Sequence, residues 1–307
     1  GKNGRFSRGG NIAKQAAKLG RMIACCDVDD VHTAQFNEGF DSKLSMYSDY
    51  RKLFETENPD VVTIGTPDHW HVPIAIAAMR AGSDVYCEKP LTLTIDEGKQ
   101  ICKVVKETGK VFQVGTQQRT EYGSCFLKAI AIVQSGRLGE TVTANLAIGG
   151  APQGDIYEPT DVPEGLDWDM WLGPAPEVPY MVERRKQFRW WLEYSGGKMT
   201  DWGAHHIDIA QWAIGCSNTG PVEISGSGTL PPAIPDNFDW AAYFDGRVTL
   251  PHAFNAATEF DIDLKFANGN ILNVNNSYES PDGKTKFKNG ILFQGDKGRI
   301  FVNRGRI

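Results

Sequence analysis

At 307 residues the chain is long for one domain and comfortable for two, and its 23% charged and 41% hydrophobic residues are the balance of an ordinary globular protein. Its formal net charge of -6 comes from interspersed acids and bases, which excludes the basic face that nucleic acid or an anionic membrane surface demands. No run approaches the length of a membrane span and no charged-then-apolar leader is present, so the expected compartment is the cytoplasm, with export after loss of a leader as the alternative.

The glycine-rich opening, Gly1-Lys2-Asn3-Gly4 and Gly9-Gly10, precedes a helical spacing over Asn11–Leu19. Glycines at a strand-to-helix turn let backbone N–H groups approach a pyrophosphate at the helix N-terminus. The spacing is not a clean G-x-G-x-x-G and no strand stands before it, while the far end stops at Gly305-Arg306-Ile307 without a closing helix. Both ends therefore read as cut. A strand over Met22–Cys26 ends at Asp27, which lies 23 residues after Gly4 and 17 after Gly10, bracketing the offset at which an acid takes the ribose hydroxyls of NAD. A carboxylate there repels a 2′-phosphate, so NAD is expected over NADP. The plainer role, capping the next helix, falls to Asp29 or Asp30.

An amphipathic segment around Tyr50, Leu53 and Phe54 leads to the β-branched run Val61–Gly65, typical of a buried parallel strand. Its end, Thr66-Pro67-Asp68-His69-Trp70-His71, precedes a helix from Val72 to Arg80 closed by Gly82. Thr66 and Pro67 would face a cofactor crevice, and His69 or His71 either contacts a ligand or makes structural hydrogen bonds. Asp84-Val85-Tyr86 then stops on Cys87-Glu88-Lys89-Pro90. A lysine at the carboxyl end of a parallel strand stands on the edge where open α/β sheets bind ligands, and an amine in a partly desolvated crevice can exchange a proton with a substrate hydroxyl. A solvated Glu-Lys pair after an edge strand is the plain alternative. The Thr94-Ile95-Asp96-Glu97 capping box starts a helix that stops at Gly109, and Val111–Gly115 is the next strand, ending in Thr116-Gln117-Gln118-Arg119. Strands alternating with helices of this size give a doubly wound parallel sheet.

From Glu121 the pattern changes. A helix over roughly Tyr122 to Gln134 is followed by strand-like runs at Thr141–Leu146, Val222–Ser225, Val248–Leu250, Ala256–Phe260, Leu264–Phe266 and Ile271–Val274, bounded by turn pairs such as Asn268-Gly269. This half is expected to be an α+β domain with a large, mostly antiparallel open sheet, one face of which packs on another subunit to make a homo-oligomer. Trp168, Trp171, Trp190, Trp191 and Trp202 cluster in one polar-aromatic insert. Most tryptophans pack cores, so at most one or two are expected on substrate, with Trp190 the candidate. Six cysteines, Cys25, Cys26, Cys87, Cys102, Cys125 and Cys216, show no CxxC spacing and are expected as buried thiols. In Gly196–Asp208, a helix begun by Asp201 sets Asp201, His205 and Asp208 on one face. A carboxylate one turn from an imidazole orients the ring and stabilises its protonated form, a pair suited to taking a hydroxyl proton. A metal site is disfavoured because His205 and His206 point about 100° apart on a helix; a simple N-cap at Asp201 is the other alternative.

With Asp27, Glu88-Lys89-Pro90 and Asp201-x-Gly-x-His205-x-x-Asp208 in this order, the chain resembles the Gfo/Idh/MocA oxidoreductase family over essentially its whole length. The resemblance implies an N-terminal Rossmann domain (1–119) and a C-terminal substrate-binding and oligomerisation domain (120–307), with nicotinamide between them. It implies Lys89, Asp201 and His205 as catalytic residues. Gly1, Gly4, Asp27, Thr66, Pro67, His71, Glu88, Lys89 and Gln117 are the candidate cofactor contacts, and Lys89, Trp190, Asp201, His205 and Asp208 the candidate substrate contacts, with no metal. The expected activity is NAD-dependent oxidation of a secondary hydroxyl of a sugar, polyol or related carbohydrate to a ketone. The alternatives are a tightly NAD-bound enzyme using a transient redox cycle and a non-catalytic nucleotide-binding protein.

Overall fold

The structure is a computed structural model that describes residues 8–307; Gly1 and Gly4, read above as cofactor contacts, lie outside the described residues. The chain folds as two compact units. The first holds the residues up to Gly115 with Glu158–Phe188 and Glu193–Ser195, and the second holds Thr116–Tyr157, Arg189–Leu192 and Gly196–Ile307. Residues 158–188, assigned to the second domain from sequence alone, thus fold with the first unit. Backbone pairing holds them there: Asp30 N donates to Gly165 O (2.8 Å) and Asp167 N to Val28 O (2.9 Å).

In the first unit β1 (Ala24–Cys26) pairs in parallel with β2 (Ser45–Tyr47), and β3 (Val61–Ile64), β4 (Asp84–Glu88) and β5 (Phe112–Gly115) form a parallel sheet in that order. Its helices up to Gly115 are α1 (Arg8–Ala16), α2 (Asp30–Glu38), α3 (Tyr50–Glu57), α4 (His71–Arg80) and α5 (Ile95–Thr108), and the returning segment adds the short helices Trp168–Leu172 and Val182–Lys186. Local chemistry sets their ends. Asp29 caps α2 by accepting from His32 N, Thr94 and Glu97 form the capping box of α5, and Gly109 ends α5 at φ 65°. Val72, Ala75, Ala78 and Met79 recur on one face of α4 and are buried with Ile64, Val85 and Cys87 of the sheet and Ile101 and Val104 of α5. Each large apolar side chain so buried contributes about 1.5–3 kcal/mol, and the core they form fixes the strand ends.

The second unit is built on a six-stranded sheet. Its strands are β6 (Thr143–Ala147), β7 (Glu223–Thr229), β8 (Glu259–Lys265) and β9 (Ile271–Asn275), then, past the small hairpin β10 (Tyr278–Glu279) and β11 (Lys286–Phe287), β12 (Gly290–Gly295) and β13 (Gly298–Val302). Their order is β13-β12-β6-β9-β8-β7, antiparallel throughout except for the β6–β9 pair. Helices Cys125–Gln134 and Gly203–Ala213 bury Phe126, Ile130, Val133, Ile209 and Ala210 against Leu146, Leu272, Val274 and Phe293 of the sheet. A parallel Rossmann-type sheet and a mostly antiparallel open sheet are the fold class expected from sequence.

Several boundaries move for local reasons. The helix expected from Tyr122 begins at Cys125, because Gly123 and Ser124 take left-handed φ of 64° and 58°. Val248–Leu250 forms no strand, and the runs around Phe260 and Leu264 join into the one strand β8. Of the cysteines expected to be buried, Cys87 and Cys216 are, whereas Cys26 and Cys102 are exposed. Among the described residues no helix is long and apolar enough to cross a membrane.

Candidate active site

In the first unit the candidate residues stand at the carboxyl ends of β1, β3 and β4, the edge at which open α/β sheets receive ligands. Asp27 follows β1. Its Oδ1 accepts from Asp29 N (3.1 Å), and Oδ2 has no hydrogen-bond partner among the described residues. Burial pushes the Asp27 carboxyl above the usual carboxylate range, against the pull of the Asp29 amide, so this group is poised to gain from donors such as a pair of ribose hydroxyls. Asp29 takes the structural role: its carboxylate accepts from His32 N and from the Arg185 guanidinium.

After β3, Gly65 and Gly9 touch backbone to backbone. A Cβ at Gly65 would lie 2.5 Å from Gly9 Cα and 2.7 Å from Gly9 N, so only glycine lets the first turn of α1 come this close to the strand end. The Thr66 hydroxyl is buried and has no hydrogen-bond partner among the described residues. Pro67 follows in extended conformation, with φ -57° and ψ 154°.

The turn after β4 is built around Lys89, which is half-buried, and the Lys89–Pro90 peptide bond is cis. The Glu88 side chain is buried, accepts from Arg8 Nε at 2.8 Å and from Lys89 N at 3.3 Å, and so holds the turn rather than facing open space for a cofactor. His71 takes the structural one of the two roles read for it from sequence. Its Nδ1 lies 2.6 Å from Pro90 O and its Nε2 3.0 Å from Thr66 O. With both ring nitrogens on backbone carbonyls, His71 ties the Thr66-Pro67 loop to the Lys89-Pro90 turn and has none left for a cofactor; burial lowers its pKa. His69 is structural too: Nε2 sits 3.0 Å from Trp171 O, and the ring packs against Trp171 and Tyr194.

In the second unit the expected Asp201–Asp208 helix is broken at Trp202. Asp201 ends the short helix Gly197–Asp201 instead of beginning one, and His205 lies in the first turn of the next helix, Gly203–Ala213. The Asp201 carboxylate pairs with Arg189 Nε at 3.4 Å. His205 is buried at 8% exposure, with the Trp202 ring edge-on at 5.8 Å. Asp208 is not an open carboxylate: Arg119 holds it through Nε (2.8 Å) and a terminal nitrogen (2.6 Å), with the guanidinium over the Trp212 ring at 4.9 Å.

Gln117 opens a short turn with its side chain half-buried. Its neighbour Gln118, which the sequence reading passed over, is buried. Its Nε2 donates to His205 O (3.2 Å) and His206 Nδ1 (2.9 Å), and its Oε1 accepts from Arg304 Nε (3.1 Å). Arg304 in turn lies over the Tyr122 and Trp202 rings. A polar residue beside a predicted site residue was the only sequence signal for this network. Of the insert's tryptophans, Trp168, Trp171 and Trp191 are core, and Trp190 is half-buried with its carbonyl accepting from Asn255 N at 2.9 Å.

Parallel strands with an acid after β1, a glycine contact between α1 and β3 and polar loops at their carboxyl ends define a dinucleotide-binding protein of the Rossmann type. Comparison narrows this. Residues 4–116 match the model of an oxidoreductase family described as an NAD-binding Rossmann fold, and residues 151–230 match that family's C-terminal alpha/beta domain. The chain belongs to this Gfo/Idh/MocA oxidoreductase family, whose cofactor is NAD.

Among its relatives, scyllo-inositol 2-dehydrogenase (NAD(+)) of Bacillus subtilis is 27% identical over 179 residues, 58% of this chain and 41% of that protein. Alpha-N-acetylgalactosaminidase of Shewanella oneidensis is 34% identical over 98 residues, 32% of this chain and 21% of that protein. The match thus spans less than half the length of these curated relatives. The fold is also that of the WlbA dehydrogenase of Bordetella pertussis, solved with NADH and UDP-GlcNAcA, at a TM-score of 0.63 and 17% identity over 95% of this chain and 74% of that one.

The residues present fit the dinucleotide. The orphaned Thr66 hydroxyl, the Gly9–Gly65 approach and the open Asp27 oxygen are donor, backbone and acceptor features suited to a dinucleotide.

Proposed function

We propose that the protein is an NAD-dependent dehydrogenase that oxidises a secondary hydroxyl of a sugar, polyol or related carbohydrate to a ketone. The observation that carries this reading is the turn after β4, where Lys89 is held at the carboxyl edge of a parallel sheet by Glu88, Arg8 and His71. That much structure around one half-buried lysine suits a group that must meet a reacting atom. In this reading the first unit binds the dinucleotide through Asp27, Thr66, Pro67 and the start of α1. The second unit supplies substrate contacts and pairs with another copy of the chain through its open sheet, where Val222 and Ile224 are 70% and 67% exposed.

NAD, when bound, supplies the hydride acceptor. His205 takes the proton from the substrate hydroxyl, and Asp201 orients the imidazole and stabilises its charged form. Lys89 polarises the same oxygen or relays the proton onward, while Trp190 offers an apolar face to the carbohydrate.

The test is NADH formation from a panel of inositols, hexoses, amino sugars and sugar acids, with Lys89→Met beside the parent. Turnover with at least one polyol or sugar, lost in Lys89→Met while NADH affinity is kept, is the expected result. Unchanged turnover in Lys89→Met removes Lys89 from the mechanism. A second reading, a closed redox cycle in glycoside cleavage, draws on the Shewanella relative. It is favoured if glycoside is consumed without free NADH accumulating.

A further inference from the structure

The loop after β1 carries three acids, Asp27, Asp29 and Asp30, and one cation has been brought to it from far along the chain. Arg185 lies 156 residues from Asp29, in the insert that folds back onto this unit, and its guanidinium is on Asp29 Oδ2. The contact is sheltered, with side-chain exposures of 14% for Arg185 and 9% for Asp29. The segment that carries it is also paired to this loop by main chain, through residues 165–167: Asp30 N to Gly165 O, Asp167 N to Val28 O, and a bridge between Asp29 and Leu166. Main chain therefore holds the insert at this loop, and charge holds the arginine itself.

Asp29 has its other oxygen on His32 N as the cap of α2, so it is fixed in place and holds the guanidinium with it. Asp27 is linked to the same loop through the Asp29 amide. The Arg185 charge is felt at Asp27, where it favours the ionised carboxylate against burial. In dinucleotide sites an acid after the first strand takes the ribose hydroxyls, and an arginine nearby accommodates a 2′-phosphate. Here both residue types are present at one loop, with the arginine already engaged by an acid.

We infer that Arg185 is a specificity-determining residue for the dinucleotide: Asp29 holds its charge in check while Asp27 faces the ribose, which selects NAD, and removal of the Asp27 carboxylate lets the same guanidinium take a 2′-phosphate. This rests on the dinucleotide site of the proposed function. The sequence alone ascribed selectivity to Asp27; the structure adds the cation that decides what happens without it.

The test is titration of the full chain with NADH and with NADPH, followed by nicotinamide fluorescence, for the parent, Asp27→Ser, Asp27→Ser/Arg185→Gln and Asp27→Ser/Arg185→Lys, with melting temperatures as a folding control. The parent prefers NADH. Asp27→Ser gains NADPH affinity by about tenfold, the scale of one charged hydrogen bond. Arg185→Gln removes that gain, and Arg185→Lys keeps most of it, which a purely structural arginine would not do. A gain that survives Arg185→Gln, or no gain in Asp27→Ser, overturns the inference and leaves the dehydrogenase reading standing. A parent that binds neither nucleotide overturns both.

Discussion

Replacing Gly65 by alanine tests whether the contact between α1 and β3 shapes the nucleotide site. The added methyl would lie 2.5 Å from Gly9 Cα and 2.7 Å from Gly9 N, with Ile12 Cδ1 at 3.4 Å. Carbon atoms pack at about 3.5–4.0 Å, so the first turn of α1 must withdraw by about 1 Å. The obstructing atoms are backbone and cannot rotate aside as a side chain would. Overpacking of this kind costs about 1–3 kcal/mol, and each kcal/mol lowers the melting temperature of a unit of this size by roughly 2–4 °C. The same withdrawal moves the N-terminal N–H groups of α1, which are suited to a pyrophosphate, so NADH affinity falls along with stability. Gly20→Ala is the control, since a Cβ there meets nothing within 4 Å. Thermal melts and NADH titrations of the two variants decide the matter. A Gly65→Ala protein that melts and binds like the parent would refute the argument from close approach.

Two further outcomes follow from the same kind of reasoning. His69 and His206 are pushed down to about 4 by burial, from an ordinary 6.5. Between these values the unfolded chain binds protons that the folded chain refuses, so stability is full above pH 6.5 and falls as pH drops toward 4. At about 1.4 kcal/mol per unit each ring contributes up to roughly 3 kcal/mol. The urea midpoint should therefore be lower at pH 5 than at pH 7, and a His69→Gln/His206→Gln variant should lose most of that difference; an unchanged difference assigns it elsewhere. Gln118→Leu removes the donors to His205 O and His206 Nδ1. Because a misplacement of about 1 Å at a reacting group can cost on the order of 100-fold, kcat should fall while NADH affinity holds. A parent-like kcat would take Gln118 out of the support of His205.

How much of this was legible in the sequence depended on the range of the interaction. The Thr94–Glu97 capping box, the Asp29 cap and the Gly109 stop are decided within four residues, and each stands where the local pattern put it. The β-branched run at Val61–Ile64 and the apolar run at Asp84–Tyr86 gave parallel strands and, with them, Lys89 at a strand end. The second half was harder to read, because positive φ at Gly123 and Ser124 delays a helix whose apolar spacing already runs through Tyr122. The break at Trp202 was likewise hidden: a helical period continues across it, and only the turn itself makes Asp201 the end of one helix instead of the start of another.

The insert shows why the rest could not be read. Its tryptophans announced burial but not a partner, since an aromatic ring packs on any apolar surface that has room for it. The contacts that bring the insert to the first unit are specific: among them are two main-chain bonds of residues 165–167 with the loop after β1, and the buried Asp68–Ser195 bond at 2.5 Å, which ties residues 193–195 to the loop after β3. None of the three has a sequence signature, because each joins residues more than 100 positions apart whose types are common in any loop. The consequence reaches function. A strap that returns to the strand ends of a nucleotide-binding sheet can alter what that sheet selects without changing its own motif. If the proposed nucleotide site holds, Asp27, expected as the ribose acid from its spacing, gives only half of the specificity argument, and Arg185, brought to Asp29 by the fold, gives the other.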